Sequence, residues 1–362
     1  MSATSIQPGR IERVVVRGVN WVGDAVMTVP ALRELRRVLP LAHITLATRP
    51  WAEGLFADAD FLDHLLIYER RPRKLRDVAR QVREWRARRF DLALLFQNAF
   101  EAALIARAAR VPLRVGYATD GRRALLTHPL PVPGWRSERH EVFYYLNLVA
   151  ELERALYGAS SVEEREPQFD LTVSEARKAE ARATLAAQGV SLMRPLVALC
   201  PGSTNSRAKR WPTENYSALG DRFVREAGAE VLLVGSIDEL EVSREVEARM
   251  IERPHVLTGR TNLAQAVAVL SLVDLLVTND TGPAHISSAL GRPTLVIFGP
   301  TDPRTTRPFA ATAEIIRKPP DCAPCMLRDC PIDHRCMTAI SPAEVFERAA
   351  AMMRRNMTGV YQ

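Results

Sequence analysis

Lysine is scarce in this chain: Lys74, Lys178, Lys209 and Lys318 are the only four among 49 basic residues. A lysine at a motif is therefore more informative here than in an ordinary sequence. Long hydrophobic runs are absent too, and none approaches the roughly 18 residues that a membrane-spanning helix needs. The stretch from Met1 to Arg10 has no apolar core of the kind a secretory signal carries, so a cytoplasmic location is expected. Cysteine is sparse, five residues with four of them late and clustered, which does not make a secreted disulfide framework. No Lys/Arg-rich groove is interleaved with aromatics, so nucleic acid is not an expected partner. The sequence has no G-x-G-x-x-G after its first apolar run, and no acid some 20 residues later. That counts against a nicotinamide dehydrogenase. It also lacks the G-K-[ST] of a nucleotide-hydrolase loop.

What is present is a 362-residue chain, 47% hydrophobic and 25% charged, long enough for two globular domains. Its net charge of +7 suits acidic ligands or an anionic membrane surface. Short apolar runs alternate with amphipathic stretches. Val14–Val16, Ile44–Ala47, Leu65–Tyr68, Leu92–Phe96 and Arg114–Tyr117 read as buried strands, with helices such as Ala31–Val38 and Val78–Arg88 between them. This is the signature of βαβ units and a parallel sheet. A charged connection follows, from Ser160 to Asp170, and then a helix from Ser174 to Gln188 stopped by Gly189. The alternation restarts with strands at Pro195–Leu199, Glu230–Val234, Val256–Leu257, Leu275–Val277 and Thr294–Phe298. The expected organisation is α/β throughout: residues 1–170, residues 171–341, and a final helical segment, 342–362, packing back on the first domain. A cleft between two such halves is the default place for a ligand.

Five segments carry chemistry. Arg17-Gly18-Val19-Asn20-Trp21-Val22-Gly23-Asp24 follows the first strand, where glycines permit close backbone approach. Two readings of Asp24 stand: an acid favouring a helix N-terminus, or a general base. Pro201-Gly202-Ser203-Thr204-Asn205-Ser206-Arg207-Ala208-Lys209-Arg210-Trp211-Pro212 follows the first strand of the second half. It reads either as a basic surface loop or as a phosphate cradle, with backbone N–H groups near Ser203 and Thr204 and a point charge from Lys209. Gly235-Ser236-Ile237-Asp238-Glu239 offers a carboxylate, Asp238 or Glu239, for the two hydroxyls of a ribose; helix capping is the competing explanation. Asn279-Asp280-Thr281-Gly282-Pro283-Ala284-His285 joins a strand to a helix and presents free N–H groups to an anion, or is an ordinary capped turn. The cluster Cys322-x2-Cys325-x4-Cys330-x5-Cys336, with His334 inside it, is either a compact zinc site or a set of reduced, partly buried thiols.

Gly23-Asp24 with Thr28 and Pro30, Lys209-x-Trp211-Pro212, and Asp280-Thr281-Gly282-Pro283-x-His285 together resemble the bacterial heptosyltransferases of glycosyltransferase family nine. Asn20-Trp21-Val22-Gly23-Asp24 and the late cysteines resemble the branch that adds the second heptose. The likeness spans most of the chain, from about Arg13 to Cys336. It implies two facing Rossmann-like domains with parallel sheets, the B-type glycosyltransferase fold (GT-B). It implies a donor, ADP-heptose, bound by the second domain through Ser203, Thr204, Lys209, Asp238, Glu239, Asp280, Thr281, Gly282 and His285. It further implies an acceptor, the heptose-bearing Kdo2–lipid A core, bound by the first domain near Asn20, Trp21 and Gly23, with Asp24 as the catalytic base. A monomer at the inner face of the cytoplasmic membrane is expected. With no Asp-x-Asp motif read as a metal site, no metal and no obligatory divalent cation are expected either. A first-heptose transferase, another family-nine glycosyltransferase, a sugar-nucleotide epimerase on the same fold and a zinc-binding interaction protein are the rival readings.

Overall fold

The computed structural model describes residues 8–69 and 74–357. The reading of Met1 to Arg10 falls mostly on residues outside this set, as does the end of the final segment, 358–362. The chain divides into two compact units, Met1–Phe169 and Asp170–Gln362.

The first unit runs β1 (Arg13–Arg17), α1 (Val22–Met27), α2 (Val29–Val38), β2 (His43–Thr48), α3 (Ala52–Phe56), β3 (His64–Ile67), α4 (Lys74–Arg88), β4 (Leu92–Leu95), α5 (Phe100–Ala108), β5 (Leu113–Tyr117), β6 (His128–Leu130) and α6 (Glu141–Tyr157). The second runs α7 (Glu175–Ala187), β7 (Leu196–Cys200), α8 (Thr213–Ala227), β8 (Glu230–Leu233), α9 (Leu240–Arg249), β9 (His255–Val256), α10 (Leu263–Leu270), β10 (Leu275–Asn279), α11 (Gly282–Ala289), β11 (Thr294–Phe298), α12 (Pro303–Thr306), β12 (Ala313–Arg317), α13 (Arg335–Thr338) and α14 (Pro342–Met357).

Each unit holds one all-parallel six-stranded sheet, in the orders β3-β2-β1-β4-β5-β6 and β12-β11-β10-β7-β8-β9. The central strands are continuous apolar runs because helices cover both faces. Val14, Val15 and Val16 of β1, and all of β7, β10 and β11, are buried. Both sheets reverse direction of progression beside the first strand, between β1 and β4 and between β7 and β10. At such a point the two flanking crossovers lie on opposite faces, which leaves a crevice at the strands' carboxyl ends. The Asp24, Ser203–Lys209 and Asp280 segments all begin at these two places.

The final helix, α14, lies against α8 of the second unit. Its apolar face, Val345, Phe346, Ala349 and Met352, joins Phe223, Trp211 and Leu219 in the second unit's core. The Phe223 and Phe346 rings sit 5.2 Å apart. The amphipathic pattern announces a buried face but not which core receives it, and the groove beside α8 takes it up.

Candidate active site

In the second unit β10 delivers Asn279 and then Asp280. Asn279 is fully buried and ties the two crevice loops together. Its Nδ2 donates to the carbonyls of Pro201 and Gly202 at 2.9 and 3.1 Å, and its Oδ1 accepts from the Trp211 N–H at 3.0 Å and the Tyr216 hydroxyl at 3.1 Å. Asp280 is 5% exposed. Its Oδ2 accepts from Lys209 Nζ and from the Thr301 hydroxyl, both at 2.7 Å. Lys209 Nζ also reaches the Asp280 carbonyl at 3.1 Å. Lys209 ends a single 3-10 turn, Arg207–Lys209, and is one-quarter exposed. The acid therefore fixes the lysine's head while leaving part of it open.

Thr281 precedes α11 in extended conformation, and no side chain caps the helix. Its hydroxyl turns back to the Asn279 carbonyl at 3.3 Å. An uncapped helix start leaves its first N–H groups for another acceptor. Pro283 sits in the first turn, where its missing N–H has no consequence. Ala284 and His285 are buried behind it. Ser203 is buried and Thr204 exposed. The Ser203 carbonyl accepts both Nε and Nη2 of Arg210, at 3.2 and 3.0 Å, which closes this loop on itself.

The choice between Asp238 and Glu239 has a structural side. Asp238 is exposed, whereas Glu239 is 7% exposed. Glu239 Oε2 accepts from the Ser236 N–H and hydroxyl at 2.8 and 2.9 Å, forming a capping box. Its other oxygen lies over Gly202: a Cβ there would stand 2.4 Å from Oε1. Gly202 is thus a close-approach glycine that lets a carboxylate sit in the crevice. Gly202→Ala is expected to displace Glu239 and, if the crevice takes the ADP that the resemblance implies, to weaken its binding about 10-fold or more through lost charged hydrogen bonding. Calorimetric ADP titration checks this; unchanged affinity removes Glu239 from the binding set.

The cysteine-bearing segment is a strap on the same loop. Arg328 O accepts from the Ala208 N–H at 2.9 Å and from the Ser206 hydroxyl at 3.2 Å. His334 Nε2 donates to the Ala208 carbonyl at 2.6 Å, and Arg207 pairs with Asp329 at 2.6 Å. The five thiols are all free. Burial, and then the neighbouring thiols of Cys330, Cys325 and Cys322, push the Cys336 thiol up. Among the described residues no group of three or more His, Cys, Asp or Glu side chains is arranged to hold a metal ion. Asp58-Ala59-Asp60 does have Asp-x-Asp spacing, contrary to the sequence reading. It follows α3, and Asp60 pairs with Arg33 at 3.1 Å.

In the first unit the turn from β1 to α1 presents Asn20 and Trp21 to solvent, Trp21 at 57% exposure. Gly23 and Asp24 are half-buried in the first turn of α1. Tyr145 on α6 lies in the electrostatic field of Asp24. Burial, then the charges of Asp24 and Glu141, hold the Tyr145 hydroxyl well above its usual range. Burial also raises Glu141, against the opposing pull of Arg136, whose Nη1 lies 2.5 Å from its carboxylate. Tyr145 thus stays a neutral hydrogen-bonding group beside Asp24. Beyond β4, Asn98 donates to the Tyr144 hydroxyl at 2.7 Å and accepts from Arg122 at 2.8 Å. Neither Asn98 nor Tyr145 is picked out by sequence reasoning, and Asn279 is read there only as the head of its turn; strand adjacency and the packing of α6 on α1 reveal their partners.

The profile of "Glycosyltransferase family 9 (heptosyltransferase)" matches residues 78–335. The chain belongs to this family. It is a glycosyltransferase of family 9, and curated relatives extend the match toward the N-terminus. Lipopolysaccharide heptosyltransferase 2 of Salmonella typhimurium is 30% identical over 326 residues, 84% of this chain and 88% of the relative. The Escherichia coli protein of the same name is 29% identical over the same shares. Among solved structures, E. coli ADP-heptose lps heptosyltransferase II superposes with a TM-score of 0.80 at 26% identity, covering 95% of this chain and 99% of that one. The family 9 glycosyltransferase of Veillonella parvula gives 0.84 at 22% identity, covering 98% and 100%, a likeness of fold. This chain, with its two parallel six-stranded sheets, thus shares the fold of these solved structures.

Proposed function

We propose that this family 9 enzyme moves L-glycero-D-manno-heptose from ADP-heptose to the first heptose of the Kdo2–lipid A inner core, in lipopolysaccharide biosynthesis. The observation that carries the proposal is the likeness to lipopolysaccharide heptosyltransferase 2 over 84% of the chain at 30% identity. The Lys209–Asp280 pair and the close-approach Glu239 give the second unit the groups a nucleoside diphosphate sugar needs.

The reaction is an inverting displacement. Asp24 takes the proton of the acceptor hydroxyl as that oxygen forms its bond to the anomeric carbon. The bond from that carbon to the phosphate oxygen breaks on the opposite face, and ADP leaves with the electron pair. Lys209 and the N–H groups of Thr281, Gly282 and the α11 start stabilise its charge. Ser203 and Thr204 contribute backbone donors, Glu239 accepts from the ribose, and exposed Asp238 serves at most its rim. Asp280 orients Lys209, and His285 backs the helix start. Asn20, Trp21 and Gly23 line the acceptor side. Fixed cationic and N–H groups take the part that a divalent cation plays elsewhere, so none is required.

No described helix is long and apolar enough to cross a membrane. A monomer held peripherally at the inner face of the cytoplasmic membrane, with net charge +7 favouring anionic lipid, fits a glycolipid acceptor. The test is an assay with ADP-heptose and acceptors of defined inner-core length. Transfer is expected only to the acceptor that already carries one heptose, and undiminished by a chelator. Transfer to a heptose-free core makes the enzyme a first-heptose transferase. Conversion of the donor alone makes it an epimerase, and restoration by magnesium after chelation overturns the metal-free mechanism.

A further inference from the structure

Arg17 ends β1 and is 6% exposed, yet it has no acidic partner among the described residues. Its Nε donates to Gln97 Oε1 at 3.0 Å and its Nη1 to Gln81 Oε1 at 2.7 Å, and the Tyr68 ring lies 5.6 Å from Cζ. Among the described residues Nη2 meets no acceptor, and it is not sealed from solvent. The contrast with Arg122 is direct. That guanidinium is also buried without an acid, but all three of its nitrogens are bonded, to Tyr117 O, Gln97 O and Asn98 Oδ1. Arg122 is a finished structural brace, and Arg17 is an oriented fork with one prong open.

Arg49 stands beside it. It follows β2, whose Ala47 is in register with Arg17. Both Nε and Nη2 of Arg49 settle on a neutral oxygen, Asn20 Oδ1, at 3.2 Å. Arg36, Arg37, Arg136 and Arg154 of the same unit all sit on carboxylates. Burial first, and then the charge of Arg49, bring the Arg17 pKa down to about 10; Tyr68 and Glu101 oppose this, without an ion pair. Two adjacent cations with neutral partners are unfavourable unless an anion joins them. Their place is the carboxyl edge of the sheet, at the loop that carries Asp24.

We infer that Arg17 and Arg49 form a subsite for an oxyanion of the acceptor, a carboxylate or a phosphate, next to the Asp24 loop. This rests on the reading that the first unit takes the inner-core acceptor. Gln81 and Gln97 hold the Arg17 plane fixed, which suits forked recognition of an oxyanion. Arg49, through Asn20, links the bound anion to the loop that places the base. The Kdo sugars supply carboxylates and lipid A supplies phosphates, and both offer this chemistry.

The test uses the full chain, saturating ADP-heptose and three acceptors: intact, with Kdo carboxylates methyl-esterified, and with lipid A phosphates removed. Arg17→Gln and Arg49→Gln are each expected to raise the acceptor KM about 10-fold or more, with the donor KM unmoved. On the acceptor that lacks the bound group, the wild type falls to the level of the variants and the variants lose nothing more. That arm names the source of the anion. A penalty that persists equally on both edited acceptors, or an unmoved acceptor KM, overturns the subsite. If Arg17→Gln fails to fold, the half-buried Arg49→Gln still decides. If the wild type transfers to no acceptor, the function reading fails by itself. Titration of the intact glycolipid without donor then reads the subsite: weaker binding by Arg49→Gln supports it, and equal binding overturns it.

Discussion

Asp24→Asn is expected to abolish sugar transfer, lowering kcat by about 10²- to 10⁴-fold, while ADP affinity is expected to stay at the wild-type value. The magnitude is that of a lost general base. The split between kcat and ADP binding follows from placement. Asp24 belongs to α1 of the first unit, whereas Lys209, Asp280 and Glu239 belong to the second. The substitution keeps shape and leaves the carbonyl of residue 24 accepting the Thr28 N–H at 3.1 Å, so α1 has no reason to unwind. Single-turnover kinetics with ADP titration measures both quantities. If thermal stability and ADP affinity fall with the rate, Asp24 is a helix-start acid, and the base lies elsewhere.

The second large effect concerns the buried ion pair. Lys209→Ala removes the one cation that bonds Asp280 among the described residues and leaves that 5%-exposed carboxylate with the Thr301 hydroxyl. Breaking one side of a buried pair costs about 3–5 kcal/mol, because the remaining charge stays desolvated. ADP binding should weaken as well, by about 1.5–3 kcal/mol for a lost charged hydrogen bond. Asp280→Asn keeps a hydrogen-bonding partner for both Lys209 and Thr301 and should do less to stability. The double variant, Lys209→Ala with Asp280→Asn, should recover part of the stability but none of the affinity. Chemical denaturation and ADP titration of the three variants give the coupling directly. Additive stability losses would mean the two side chains act independently, against the 2.7 Å contact.

The central strands were readable from sequence because burial on both faces leaves no polar alternation to confuse them. β6 and β12 were not. β6 is three half-buried residues containing Pro129, and β12 carries Glu314 and Arg317. Both are sheet edges, where pairing on one side tolerates proline and charge. The crevice motifs were readable as well, since glycines, small hydroxyls and acids at strand ends are local signals. The bonds within them were not. Arg17 depends on Gln81 and Gln97, 64 and 80 residues away, and Lys209 depends on Asp280, 71 residues away. A strand-end arginine in sequence does not disclose whether it finds an acid. Only the β1–β4 adjacency shows that Arg17 does not.

Asn279 has a consequence for how binding energy is used. One buried amide satisfies two carbonyls of the loop after β7, plus the Trp211 N–H and the Tyr216 hydroxyl, while its own backbone begins the turn after β10. The two loops cannot shift independently without orphaning those groups. Their conformational entropy is surrendered when the chain folds, not when the nucleotide arrives. Little of the donor's interaction energy is then diverted to assembling its own cradle, and discrimination between donors falls to the shape of a site that already exists.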